Sequence, residues 1–168
     1  MDEKAMDLLF ELAAILKLKQ QFIAMVTGET VNTTENRPAL HTAARNFSGH
    51  SAYVDGKDVM PEIVKTRDDI RTFALKIHSG EITGSTGKPF KQAVVIGIGG
   101  SYLGTEFVAR ALGALADKGI ALEFLANVDI HNFASIWSRT APEKTLWVII
   151  SKSYTTVETM ANKDLIRR

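Results

Sequence analysis

Over residues 2–17 the apolar positions repeat with the period of a helix. Met6, Leu9, Ala13 and Leu16 fall on one stripe, with Leu8, Leu12 and Ile15 beside it. Asp2 stands where an N-cap belongs. A second helix is predicted from Lys19 to Val26, stopped by Thr27-Gly28. Residues 29–52 are mostly polar and aperiodic, with room for a short helix from Pro38 to Arg45. Tyr53-Val54-Asp55-Gly56-Lys57-Asp58-Val59 carries the Asp-Gly signal of a tight hairpin and is equally compatible with a plain loop. Pro61 suits the first turn of a helix, and Ile63, Ile70, Phe73, Ala74 and Ile77 keep helical spacing to about Ser79. Gly80 to Pro89 is a loop rich in Gly, Ser and Thr.

From Ala93 onward short apolar runs alternate with helical stretches. Strands are predicted at 93–98, 121–126 and 146–150, and helices at 102–116, 130–139 and 156–167. Strands apolar on both faces, each followed by a helix, imply an α/β fold with a parallel sheet covered on both sides. Its crossovers are expected to be right-handed. The expected division is residues 1–90, an N-terminal helical and irregular segment with a possible hairpin near 53–59, and residues 91–168, the start of the α/β domain. The sequence stops at Asp164-Leu165-Ile166-Arg167-Arg168, inside a predicted helix, and three strands make a thin sheet with an edge to cover. The chain is therefore expected to be truncated at its C-terminus.

Composition narrows the field mainly by exclusion. The 168 residues are 45% hydrophobic and 23% charged, ordinary for a globular chain. A net charge of +1 gives no field that would favour nucleic acid or an anionic membrane. With no cysteine there are no disulfides or thiolate metal sites, which fits a reducing cytosol. No apolar run approaches the roughly 18–20 residues of a membrane span. Met1-Asp2-Glu3-Lys4 is acidic where a secretory leader would be basic. The sequons Asn32-Thr33-Thr34 and Asn46-Phe47-Ser48 are therefore read as chance matches.

Two strand–loop units carry candidate chemistry. Val94-Val95-Ile96-Gly97-Ile98-Gly99-Gly100-Ser101 ends in a glycine pair that lets backbone approach a ligand, followed by Ser101, able to offer a hydroxyl and an N–H. Val148-Ile149-Ile150 runs into Ser151-Lys152-Ser153-Tyr154-Thr155-Thr156. Hydroxyls and N–H groups can surround a phosphate, and Lys152 adds charge. A cap for the following helix would need only one of those hydroxyls, with Glu158 supporting the helix dipole. Together the two loops point to a small phosphorylated ligand.

Other motifs fail on inspection. Tyr102 stands where a dinucleotide fingerprint needs its third glycine, although Asp129 lies where a ribose-binding carboxylate would sit. Thr83-Gly84-Ser85-Thr86-Gly87-Lys88 looks in part like a P-loop, but Pro89 replaces the Ser or Thr and the segment precedes its strand. His41, His50, His78 and His131 lack metal-ligand spacing, and Ser101 has no nucleophile-elbow context.

With both loops in view, the chain resembles the glucose-6-phosphate isomerase (phosphoglucose isomerase) family. Gly97-Ile98-Gly99-Gly100-Ser101-Tyr102-Leu103-Gly104 and Ser151-Lys152-Ser153-Tyr154-Thr155-Thr156 are similar to its two phosphosugar loops. So is its N-terminal signature to Asn32-Thr33-Thr34-Glu35-Asn36-Arg37-Pro38-Ala39-Leu40-His41-Thr42-Ala43-Ala44-Arg45-Asn46. Val54 to Glu62 and Asn127-Val128-Asp129 fit as well, in the family's order. Ser153, Tyr154 and Tyr102 replace the family's usual Thr, Phe and Asp.

The resemblance implies a sugar isomerase (SIS) type three-layer αβα sandwich, preceded by N-terminal helices. It implies a cytoplasmic enzyme of glycolysis and gluconeogenesis that interconverts glucose 6-phosphate and fructose 6-phosphate. The family needs no metal or nucleotide and is usually a homodimer. By position, Ser151, Ser153 and Thr156 would hold the substrate phosphate, with Lys152, Tyr154 and Thr155 in the same loop. Gly100 and Ser101 would reach it from the first loop. The family's Glu base, its His and Lys for ring opening and its Arg are expected beyond this chain, so no catalytic residue is assigned and the chain alone is expected to be inactive. A non-catalytic SIS-type sugar-phosphate-binding module remains an alternative, as does half of a dinucleotide-binding dehydrogenase.

Overall fold

Asp2 caps the first helix by accepting the Ala5 N–H on Oδ1 at 2.8 Å. That helix, α1 (Glu3–Ile15), gives way to α2 (Leu18–Thr27) through Lys17, which sits in the left-handed region at φ 54°. The computed structural model describes residues 2–167. A one-turn helix α3 (His41–Ala44) follows, then β1 (Tyr53–Val54) paired antiparallel with β2 (Lys57–Asp58). Asp55 and Gly56 between them have φ 49° and 77°, the positive pair that a two-residue primed turn needs. The long helix α4 (Met60–Ser79) begins where Asp58 Oδ1 accepts the Met60 N–H.

The chain divides into two compact units between Arg71 and Thr72. In the first, Ala43, Ala52 and Met60 form a small buried core with Leu40, Val59 and Ile63 against it. Arg67 fixes the neighbouring loop. Its guanidinium donates to the Asn46 carbonyl and lies 4.4 Å over the Phe47 ring.

The second unit holds the α/β alternation: β3 (Gln92–Ile96), α5 (Gly100–Ala111), β4 (Ala121–Leu125), α6 (Ile130–Trp137), β5 (Thr145–Ile149) and α7 (Val157–Ile166). The sheet is parallel, in the order β4-β3-β5. β3 is central and buried, and each fully enclosed aliphatic side chain such as Val94 or Ile96 contributes about 1.5–3 kcal/mol. One face of the sheet packs Val94, Ile96 and Leu125 against Ile136, with Phe133, Trp147, Ile149 and Ile166 around them. Trp137 stacks between Phe133 and Trp147, at centroid distances of 5.7 and 6.1 Å. On the other face Ala93, Leu122 and Leu146, in register across the sheet, share an apolar pocket with Phe73, Ala74 and Ile77 of α4. Helices thus flank both faces.

Two departures from the sequence expectation bear on the sheet and its helices. β4 is an edge strand, so Ala121 and Leu122 are exposed although the run reads as buried on both faces. The helix predicted over 102–116 starts earlier and ends at Ala111, with Leu112 closing it and Gly113 beyond, where continuing the helix costs about 1 kcal/mol. Among the described residues no helix is long and apolar enough to cross a membrane.

Candidate functional site

Parallel strands in register end on the same side. Ile96 pairs with Leu125 and with Ile149, so the segments that follow β3, β4 and β5 emerge at one edge of the sheet. This brings the two loops singled out in the sequence together. The Ile150 N–H donates to the Ile96 carbonyl at 2.8 Å, carrying the ladder one step past the strands. Gly97 is buried at the junction. A Cβ there would lie 3.2 Å from the Ile150 oxygen and 3.4 Å from Ser101 Cβ, so a larger residue would push the loops apart by a few tenths of an ångström. Gly99 adopts φ 53°, ψ −125°, a conformation that residues with a Cβ avoid. Gly100, exposed, then opens α5. Ser101 donates its N–H to the Ile98 carbonyl at 3.1 Å, so the N–H expected for an anion is already engaged and the hydroxyl is the group left to turn outward.

The second loop is knitted by its own hydroxyls. Ser151 Oγ accepts the Tyr154 N–H at 3.0 Å, and a hydroxyl that accepts can still donate its own proton to a ligand. Ser153 Oγ and Thr155 Oγ1 lie 2.6 Å apart and share a hydrogen bond. Tyr154 sits at φ 55°, which costs a residue with a side chain of its size, and it is 61% exposed. Thr156 takes the N-cap place of α7 with no side-chain capping bond. The hydroxyl cluster is therefore not used to cap this helix. Ser151 and Thr156 are half-buried, while Lys152, Ser153 and Thr155 are exposed at the rim.

The third strand tip completes the edge. Asn127 Oδ1 accepts the Asp129 N–H at 3.0 Å, and Asp129 Oδ1 accepts the His131 N–H at 2.8 Å, capping α6. The carboxylate weighed for a ribose is thus a helix cap. The Asn127 carbonyl accepts from Nδ2 of Asn162 at 2.7 Å. Asn162 is on α7 and only 3% exposed. Sequence reading passed over it, because its partner is 35 residues away. A signal did exist: Thr159, Asn162 and Ile166 fall at i, i+3 and i+7, one face of α7.

A cleft of about 690 Å³ lies elsewhere, along β4 between α5 and α6. Tyr102, Glu106, Arg110, Glu123, Asn132 and Arg139 line it, and it includes none of the eight residues expected to bind phosphate. Two of its cations are partnered, Arg110 with Glu106 at 2.6 Å and Arg139 with Glu123 at 3.2 Å. The strand tips present a different set of groups. Backbone amides, hydroxyls, the Lys152 ammonium and the start of α7 meet there, a combination suited to a phosphate monoester.

Comparison with known proteins gives a consistent result. A family model described as phosphoglucose isomerase matches residues 1–168. A glucose-6-phosphate isomerase from Desulfosudis oleivorans is 62% identical over 163 residues, 97% of this chain and 30% of that protein. One from Pseudoalteromonas atlantica is 47% identical over 154 residues, 92% of this chain and 28% of that protein. Among solved structures, a glucose-6-phosphate isomerase from Chlamydia trachomatis superposes with a TM-score of 0.80 at 27% identity, over 99% of this chain and 32% of that one. The chain spans about 30% of the length of the curated relatives it matches.

Proposed function

The chain belongs to the phosphoglucose isomerase family, and on that premise we propose that it holds the phosphate-binding part of a glucose-6-phosphate isomerase, which interconverts glucose 6-phosphate and fructose 6-phosphate in glycolysis and gluconeogenesis. One observation carries this reading: the Gly97–Ser101 and Ser151–Thr156 loops lie side by side at one sheet edge, joined by the bond from Ile150 to Ile96. In this assignment Ser151, Ser153 and Thr156 donate to the phosphate oxygens, and Lys152 supplies charge. Tyr154 and Thr155 hold the loop in shape. Gly100 and Ser101 reach the sugar phosphate from the neighbouring tip. Residues 91–168 serve as the beginning of an SIS-type domain, with residues 1–90 leading into it. A cytoplasmic location and a homodimer of the whole enzyme belong to the same reading.

Isomerisation of an aldose to a ketose moves a proton between adjacent carbons, which needs a positioned acid–base group. Neither loop contains a carboxylate or an imidazole. The contribution of the two loops is therefore binding and orientation. The same fact favours one second reading, a sugar-phosphate-binding module without chemistry.

Calorimetry with glucose 6-phosphate, fructose 6-phosphate and glucose tests the binding claim. The two phosphates bind with one shared stoichiometry, and glucose does not. Equal binding of glucose, or no binding at all, overturns it. A coupled dehydrogenase assay then separates the two readings. The chain alone gives no turnover, while the polypeptide from the complete reading frame does. Sugar-phosphate binding without turnover by that polypeptide selects the second reading.

A further inference from the structure

We propose that Asn162 is a positioning residue for the phosphate loop, tying α7 to the tip of β4 through its bond to the Asn127 carbonyl. The inference rests on the reading of Ser151–Thr156 as a phosphate site and adds a residue to it. α7 starts directly after Thr156, so its placement sets where the loop's amides and hydroxyls point. Thr159 and Asn162, 2% and 3% exposed, face inward with Ile166, which packs on the sheet core. β3 lies between β4 and β5. α7, the helix that follows β5, therefore packs over the central strand, and the Asn162 amide joins it to the loop that follows β4. The central strand carries the Gly97–Ser101 turn. One side-chain bond thus links the helix that leaves one outer tip to the other outer tip. Asn127 is held twice, through its carbonyl by Asn162 and through its side chain by the Asp129 N–H. A buried amide is needed for this, because a hydrophobic residue of similar size would fill the space without setting the register.

The test is a titration of the 168-residue chain with inorganic phosphate, followed by the amide shifts of Ser151–Thr156, alongside the melting temperature. Asn162→Leu removes the donor and keeps the volume. Asn162→Asp keeps the shape and sets a carboxylate against the carbonyl. Ile136→Val, in the core and away from the tips, is the control for stability alone. Either Asn162 variant weakens phosphate binding about tenfold, the cost of one lost hydrogen bond in the register of the site. Ile136→Val lowers the melting temperature yet leaves affinity within about twofold. Unchanged affinity in a folded Asn162 variant overturns the proposal and leaves the phosphate site standing. So does an affinity loss that Ile136→Val reproduces at equal melting temperature. If neither Asn162 variant folds, Asn162 is structural and the proposal falls. If the unaltered chain shows no shifts at Ser151–Thr156, the phosphate reading itself fails, and this inference with it.

Discussion

At the scale of single residues, hydroxyls of the second loop are already held in place. Ser151 is fixed by the Tyr154 N–H, and Ser153 by Thr155. Lys152→Ala and Ser151→Ala should each weaken glucose 6-phosphate binding by about 1.5–3 kcal/mol, the worth of a hydrogen bond to a charged group. Isothermal calorimetry reads this directly, and affinity unchanged by both substitutions would leave the cluster without a ligand role. That the two loops share one sheet edge was legible, because each is contiguous in sequence and follows an apolar run. Ser101 was only half legible. Its hydroxyl is available, but its N–H turns back to Ile98, a local turn that residue types do not reveal. Asn162 was not legible as a partner of Asn127, since nothing in a linear sequence marks a bond from a helix to the loop after another strand.

At the scale of elements, caps and tethers set the strand tips. Asp129→Ala should cost about 1 kcal/mol through loss of the α6 cap, seen as a lower melting temperature. NAD should shift the melting temperature of neither form, because Tyr102 stands where a dinucleotide fingerprint needs its third glycine. A second tether joins the loop before β3 to the short 3₁₀ turn Pro142–Lys144 before β5, through Lys88 and Glu143. The Lys88 ammonium, by hydrogen bond and by charge, holds the Glu143 carboxyl below the usual carboxylate value. A lowered acid pKa means that the tether is present above the ordinary value and lost as pH falls through the lowered one. A carbon-detected titration of Glu143 should show that low midpoint, and Lys88→Ala should return it to the ordinary range. The alternation of strand and helix was plain from the sequence because buried parallel strands are apolar on both faces. The exposure of β4 was not, since its apolar residues look like those of a central strand.

At the scale of the whole molecule, the sheet carries the larger core. Val94, Ile96, Leu125 and Ile136 are buried in the second unit, while the first has Ala43, Ala52 and Met60. Amide exchange should therefore be slowest in β3 and faster throughout the first unit, and the reverse order would place the stable core elsewhere. Parallel pairing followed from the pattern, but the order β4-β3-β5 did not, because periodicity says nothing about which strand lies in the middle. That order is what sets the Gly97 turn beside the Ser151–Thr156 loop. The account stands on those two tips binding one phosphate together. Amide spectra recorded during a glucose 6-phosphate titration test it most directly. The account predicts that Gly97–Ser101 and Ser151–Thr156 shift together on a single isotherm. Shifts confined to one loop, or gathered instead along the β4 cleft near Arg110 and Arg139, would contradict it.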